Sequence, residues 1–121
     1  MAKIKVLVVD DSPFIHKAIT RALSSECFEI CGYAKNGREG LDMFLEKDPD
    51  VVTMDVTMPV MDGLAAAKEI KTQRPEARII MLSAMGDQEI VSEAMAAGIS
   101  QFLQKPFKSP ELVEAIEKLY R

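Results

Sequence analysis

The chain has 121 residues, 48% of them hydrophobic, and a formal net charge of −4. That is the size of one compact domain with material for a core, and no apolar run approaches the roughly 20 residues that a membrane-spanning helix requires. Lysine and arginine are scattered along the chain, which argues against the basic patch that direct nucleic-acid binding needs.

Met1 to Lys5 runs straight into an apolar strand pattern. It has neither the apolar stretch nor the small-residue cleavage site of a signal peptide, so the cytoplasm is the expected location. Val6 to Val9 is a continuous β-branched and apolar run, which is how a strand buried on both faces reads. Ser12 followed by Pro13 marks a helix start, with Phe14, Ile15, Ala18, Ile19, Ala22 and Leu23 as its apolar stripe. His16 falls opposite that stripe and is expected to be a solvated helix residue. Phe28 to Ala34 alternates, with Glu29 and Tyr33 opposite Phe28 and Ile30, and reads as an edge strand. On one strand Cys27 and Cys31 would lie ~13 Å apart, too far for a disulfide. Two thiols also make a poor zinc site, so buried, reduced cysteines are expected.

Asn36 caps a second helix, with Leu41, Phe44 and Leu45 on its apolar side. Asn36-Gly37 and the other glycines lack the spacing and Lys-Ser/Thr ending of a phosphate loop. Val51 to Met54 is the third strand, and Asp62 caps a third helix carrying Leu64, Ala67 and Ile70. Ile79 to Leu82 is the fourth strand; Asp87 caps a helix with Ile90, Val91, Ala94 and Met95, and Gly98 stops it. Phe102 to Gln104 is a short fifth strand. Ser109-Pro110 opens the last helix, striped by Leu112, Ile116 and Leu119. The eight methionines read mainly as core filler, with Met58, Met61 and Met85 in loops that flank the strand ends.

Five βα units with short connections predict one α/β domain over residues 1–121, a parallel sheet with helices on both faces and right-handed crossovers. Such sheets bind ligands beyond the carboxyl ends of their strands. Those ends carry Asp10 and Asp11, Asp55, Ser83 and Lys105. Three carboxylates on one rim repel each other unless a cation offsets them. An all-oxygen set without His or Cys suits Mg²⁺. A carboxylate held between a metal, an ammonium and a hydroxyl is equipped to attack phosphorus, and the same groups neutralise the transferring phosphoryl oxygens.

These residues sit in a wider pattern: Val8-Val9-Asp10-Asp11, then Met54-Asp55-Val56-Thr57-Met58-Pro59-Val60-Met61-Asp62-Gly63, then Ser83-Ala84, then Lys105-Pro106-Phe107. Over the whole chain it resembles the receiver domain of two-component response regulators, most closely the stand-alone chemotaxis type. The resemblance implies a flavodoxin-like fold with strand order 2-1-3-4-5. It implies a phosphorylation-activated switch that takes a phosphoryl group from a sensor histidine kinase onto Asp55. Asp10, Asp11, Asp55 and the backbone carbonyl of Thr57 would hold Mg²⁺, while Lys105 and Ser83 would hold the phosphoryl group. Ser83 stands where the family more often has Thr and keeps the hydroxyl. Phe102 would be the aromatic switch, with Ile90, Glu93, Gln101, Leu103 and Gln104 as partner-facing candidates. The Lys105-Pro106 bond would be cis. The implied target is a downstream protein such as a flagellar motor or other chemotaxis component, bound by a monomer without nucleic acid or membrane insertion.

Rival classes fare worse on the same residues. A receiver cut from a longer regulator with a separate effector domain is the alternative within the family. A Mg²⁺-dependent aspartyl phosphatase of the haloacid dehalogenase type needs an acid two residues after its nucleophile, and Thr57 stands there. Turnover on outside substrates is therefore not expected, only self-catalysed phosphotransfer and dephosphorylation. A flavin carrier would not place Asp10-Asp11 where a phosphate must sit, and a receiver-like scaffold without phosphorylation would lack part of the site. In the family, the residue two after the phosphoacceptor and the residue two after the hydroxyl flank the hydrolytic water, and here these are Thr57 and Met85. Neither orients a water, and Met85 can cover the phosphoryl group with an apolar chain. Thr57→Asn combined with Met85→Glu should therefore speed loss of the phosphoryl group at saturating Mg²⁺, followed as decay of labelled protein. A lifetime equal to or longer than that of the wild type would refute this account.

Overall fold

A computed structural model describes residues 3–56, 58, 60–84 and 86–120. In chain order the elements are β1 (Ile4–Val9), α1 (Pro13–Ala22), β2 (Phe28–Ala34), α2 (Gly37–Lys47), β3 (Val51–Asp55), α3 (Gly63–Gln73), β4 (Ile79–Ser83), α4 (Gln88–Ala96), β5 (Gln101–Gln104) and α5 (Ser109–Lys118). All strands pair in parallel, in the order β2-β1-β3-β4-β5. The expected fold and the edge position of β2 are therefore found.

The sheet divides the core in two. Val6, Val8, Val51, Ile80, Leu82 and Leu103 pack with α1 and α5 on one face. Leu7, Val9, Val52, Met54, Ile79 and Met81 pack with α2, α3 and α4 on the other. Strands buried on both sides explain the unbroken apolar runs; each such side chain contributes about 1.5–3 kcal/mol by leaving water.

Several local expectations are corrected. A β-bulge at Cys31 separates the pairs Val6↔Ile30 and Leu7↔Gly32. An extra residue in a strand reverses the facing of everything after it. Tyr33 therefore joins Phe28 and Ile30 on the α1 face rather than opposing them, and its ring meets His16. Both cysteines are free, as expected, but Cys27 precedes the strand and is exposed, and Cys31 is only half-buried, packed against the α2/α3/α4 core. Phe14, Leu45 and Met95 are 77%, 41% and 61% exposed, because their helices are packed along narrower strips than the apolar periodicity spans.

Ser12, Asn36 and Asp62 cap their helices as read. Asp87 stands at the start of α4, but its carboxylate accepts from Ala84 N–H at 2.8 Å instead of capping. α5 begins one residue early: Lys108 is its cap residue, and its N–H donates to Glu111 Oε1 at 2.7 Å. Gly98 ends α4 with φ 96°, a conformation that suits glycine.

Thr53 lies between Val8 and Ile80 at the centre of the sheet, fully buried. Its Oγ1 has no hydrogen-bond partner among the described residues. An unpaired buried hydroxyl costs about 1–3 kcal/mol. Thr53→Val should therefore raise the unfolding free energy by about 1 kcal/mol, seen as a higher urea midpoint at unchanged slope. A lower midpoint would show that the hydroxyl is satisfied in solution.

Candidate metal and phosphoryl site

Parallel strands that all end at one rim bring together residues far apart in sequence. Lys105 follows β5, and its N–H is held by the carbonyl of Ser83 at 2.8 Å. The Lys105-Pro106 peptide is cis, as expected. From there Lys105 Nζ donates to Asp10 Oδ2 and to Asp55 Oδ1, each at 2.9 Å. Asp10 is fully buried and its Oδ1 accepts from Ser12 N–H at 2.9 Å. Asp11, in the turn after β1, is exposed. Carboxylate oxygens of Asp10, Asp11 and Asp55 all lie within 4.8 Å of one another.

Three ionised carboxylates against one ammonium leave two negative charges unbalanced. At that spacing each pair repels by roughly 3–4 kcal/mol at an effective dielectric of about 20. Burial is the main force raising the Asp55 carboxyl above its ordinary range; Lys105 opposes the rise, and the charges of Asp10 and Asp11 add to it. Burial works against the Lys105 ammonium, but its bonds to Asp10 and Asp55 outweigh it and hold the proton more tightly than usual. The cluster is an acidic, all-oxygen donor set, which fits a hard divalent cation.

Alternation along the strands divides the rim residues between faces. Asp10, Asp55 and Lys105 continue the rows of Val8, Thr53 and Leu103 on the α1/α5 side. Ser83 continues the row of Met81 and is 8% exposed. Phe102 pairs with Met81 in register and packs, half-buried, against the α2/α3/α4 core. Of the partner-facing candidates, Glu93 and Gln104 are exposed and Ile90 and Gln101 half-buried, whereas Leu103 is core. Met58 is buried in the α2/α3/α4 core, and Met61 packs against it, half-buried. Thr57 and Met85 lie outside the described residues.

Two supports went unread in the sequence. Gly63 packs on the end of β3 so tightly that a methyl there would overlap the Asp55 carbonyl oxygen, and its N–H donates to Val56 O at 2.8 Å. The N–H of Gly37 donates to Met61 O at 2.8 Å, tying the start of α2 to the β3–α3 loop. His16, expected to be solvated, instead reaches the backbone carbonyl of Asp10. The available signal was its position in the first turn of α1, where side chains lean toward the helix start and hence toward the end of β1.

Known proteins resemble this chain in sequence and fold. The family model for the response regulator receiver domain matches residues 6–117. The chemotaxis protein CheY of Bacillus subtilis is 46% identical, the alignment covering 94% of this chain and 95% of that protein. CheY of Thermotoga maritima is 44% identical, covering 95% and 96% respectively. Among solved structures, the CheX–CheY–BeF₃–Mg²⁺ complex of Borrelia burgdorferi superposes with a TM-score of 0.91 at 32% identity, covering 98% of this chain and 90% of that one. The phosphatase alternative is not favoured by any of these matches. With five parallel strands in the receiver order and similarity to CheY along nearly its whole length, the chain belongs to the response regulator receiver family and is a CheY-like, phosphorylation-activated switch.

Proposed function

We propose that Asp55 is the phosphoacceptor of this switch and that Asp10, Asp11 and Asp55, with the carbonyl of Thr57, hold Mg²⁺. The observation that carries the reading is the Asp55 carboxylate bound by Lys105 at 2.9 Å, with two more carboxylates within 4.8 Å. Mg²⁺, when bound, would offset the carboxylate charge and that of the incoming phosphoryl oxygens. The chain's own groups do the rest. One oxygen of Asp55 attacks phosphorus; the bond to the donor nitrogen of a kinase phosphohistidine breaks, and its electron pair leaves with the imidazole. Lys105 then has a phosphoryl oxygen to bind as well as Asp10, so its charge stays paired through the transfer. Ser83 donates its hydroxyl to another phosphoryl oxygen.

In this reading Ser83 is also the first moving part. Its shift toward the phosphoryl group leaves room that the half-buried Phe102 turns into, which biases two pre-existing states. The face that changes is α4, β5 and α5, with Ile90, Glu93, Gln101 and Gln104 toward the partner. The upstream partner is a sensor histidine kinase and the downstream one a chemotaxis component such as the flagellar motor. The protein acts as a cytoplasmic monomer that catalyses its own phosphotransfer and dephosphorylation, without turnover on outside substrates. No helix among the described residues is long and apolar enough to cross a membrane.

The direct test is labelling by a small phosphodonor, read by intact mass. Wild type should gain one phosphoryl group only with Mg²⁺, and Asp55→Asn should gain none; equal labelling of the variant would refute Asp55 as acceptor. A second outcome follows from the raised Asp55 carboxyl. The native state keeps a proton that the unfolded chain releases, so stability falls as pH climbs above the ordinary carboxylate range. Without divalent ions, Asp55→Asn should then melt higher than wild type at neutral pH, and the gap should close as the pH is lowered into that range. Added Mg²⁺ should raise the wild-type midpoint more than that of the variant.

A further inference from the structure

The chemistry above makes no use of His16, yet its Nε2 lies 2.6 Å from the backbone carbonyl oxygen of Asp10. A carbonyl oxygen can only accept, so Nε2 carries the proton and donates. The β1–α1 turn is laced around this contact. Ser12 N–H donates to Asp10 Oδ1 at 2.9 Å, and Ile15 N–H to Ser12 Oγ at 3.4 Å. His16 N–H donates to Ser12 O at 3.1 Å, and the His16 ring returns to Asp10. Asp11 is the residue these bonds enclose without touching: its side chain is exposed and makes no hydrogen bond among the described residues. Where its carboxylate starts from is therefore decided by the backbone on either side.

His16 is itself held. The Thr20 hydroxyl donates to His16 O at 2.7 Å, which leaves its oxygen to accept from the Tyr33 hydroxyl. The His16 and Tyr33 ring centroids are 5.1 Å apart with planes inclined at 37°. The bulge at Cys31 that turns Tyr33 onto this face thus supports the same turn.

We propose that His16 is a positioning residue for the divalent-cation site: by holding the peptide group between Asp10 and Asp11, it fixes the point from which Asp11 reaches the cluster. The inference rests on the reading of Asp10, Asp11 and Asp55 as that site. With the bond removed, the Asp10–Asp11 peptide gains freedom that cation binding has to remove again. Partners that orient metal ligands typically change affinity by about 10–100-fold; His16 acts one step farther out, through the backbone, so a loss of roughly three- to tenfold is expected.

The experiment is Mg²⁺ titration of the full chain followed by amide NMR shifts. His16→Gln keeps a donor at similar reach, while His16→Phe keeps a ring against Tyr33 without one. His16→Met is a second donor-free variant, and because His16 is only half-buried the core does not depend on it. The Gln variant should bind Mg²⁺ within about twofold of wild type, and the Phe and Met variants roughly three- to tenfold more weakly. Metal-free melting separates this from a merely structural contact: lower melting of the donor-free variants with an unchanged Mg²⁺ dissociation constant would overturn the proposal. So would equal weakening in the Gln variant. If Asp11→Ala binds Mg²⁺ as tightly as wild type, the cation-site assignment itself fails; if only the His16 variants bind like wild type, the positioning role alone fails.

Discussion

The ammonium of Lys105, shared between Asp10 and Asp55, is the contact on which the rim depends. These residues lie 95 and 50 positions apart in the chain. Without that charge, a fully buried Asp10 would face Asp55 across a few ångströms with nothing to offset the repulsion but protons. The lysine reaches both carboxylates from the end of β5, across the end of β4, because its own backbone is anchored on Ser83. One residue, through its side chain and its backbone N–H, therefore ties the ends of β1, β3, β4 and β5 where the sheet is open. One ammonium leaves the three carboxylates underneutralised, and that residual negative charge fits a divalent cation.

The sheet also divides the rim residues between its two faces. Asp10, Asp55 and Lys105 belong to the rows that pack on α1 and α5, while Ser83 and Phe102 belong to the rows that pack on α2, α3 and α4. In the proposed mechanism, a change at Asp55 reaches Phe102 across the edge of the sheet, through Ser83. The α4 side is lightly packed: α4 buries only Ala94 fully and leaves Met95 largely exposed. A helix held by so little apolar contact is cheap to displace, which suits the proposed two-state role of this face. The opposite side is held tightly, by the hydrogen bonds of the β1–α1 turn and the clasp of His16 with Tyr33.

The β3–α3 loop shows how closely the end of β3 is braced. Gly63 brings α3 onto the Asp55 carbonyl, and Gly37 brings α2 onto Met61. Between them Val60 is 85% exposed with φ 69°, a left-handed conformation that a β-branched residue adopts at a cost. A loop pinned at its end by two glycine contacts can hold such a residue, and it does so within a few positions of Asp55.

From the residues alone came the element order, the edge strand and the four polar strand ends, because doubly buried parallel strands read as unbroken apolar runs and the helix starts carry their capping residues. The roles assigned to those ends, and the strand order, came from resemblance to a family. What the chain could not disclose depended on geometry in three dimensions. One extra residue at Cys31 moved Tyr33 to the other face, since strand facing has a period of two and any insertion inverts it. Periodicity marked apolar stripes wider than the packed ones, so Phe14 and Met95 stand in solvent. His16 became a donor to Asp10 only when α1 settled over the end of β1. Sequence determined which groups reach the rim; tertiary packing decided which of them touch, because contact rests on register, bulges and helix placement that no local pattern encodes.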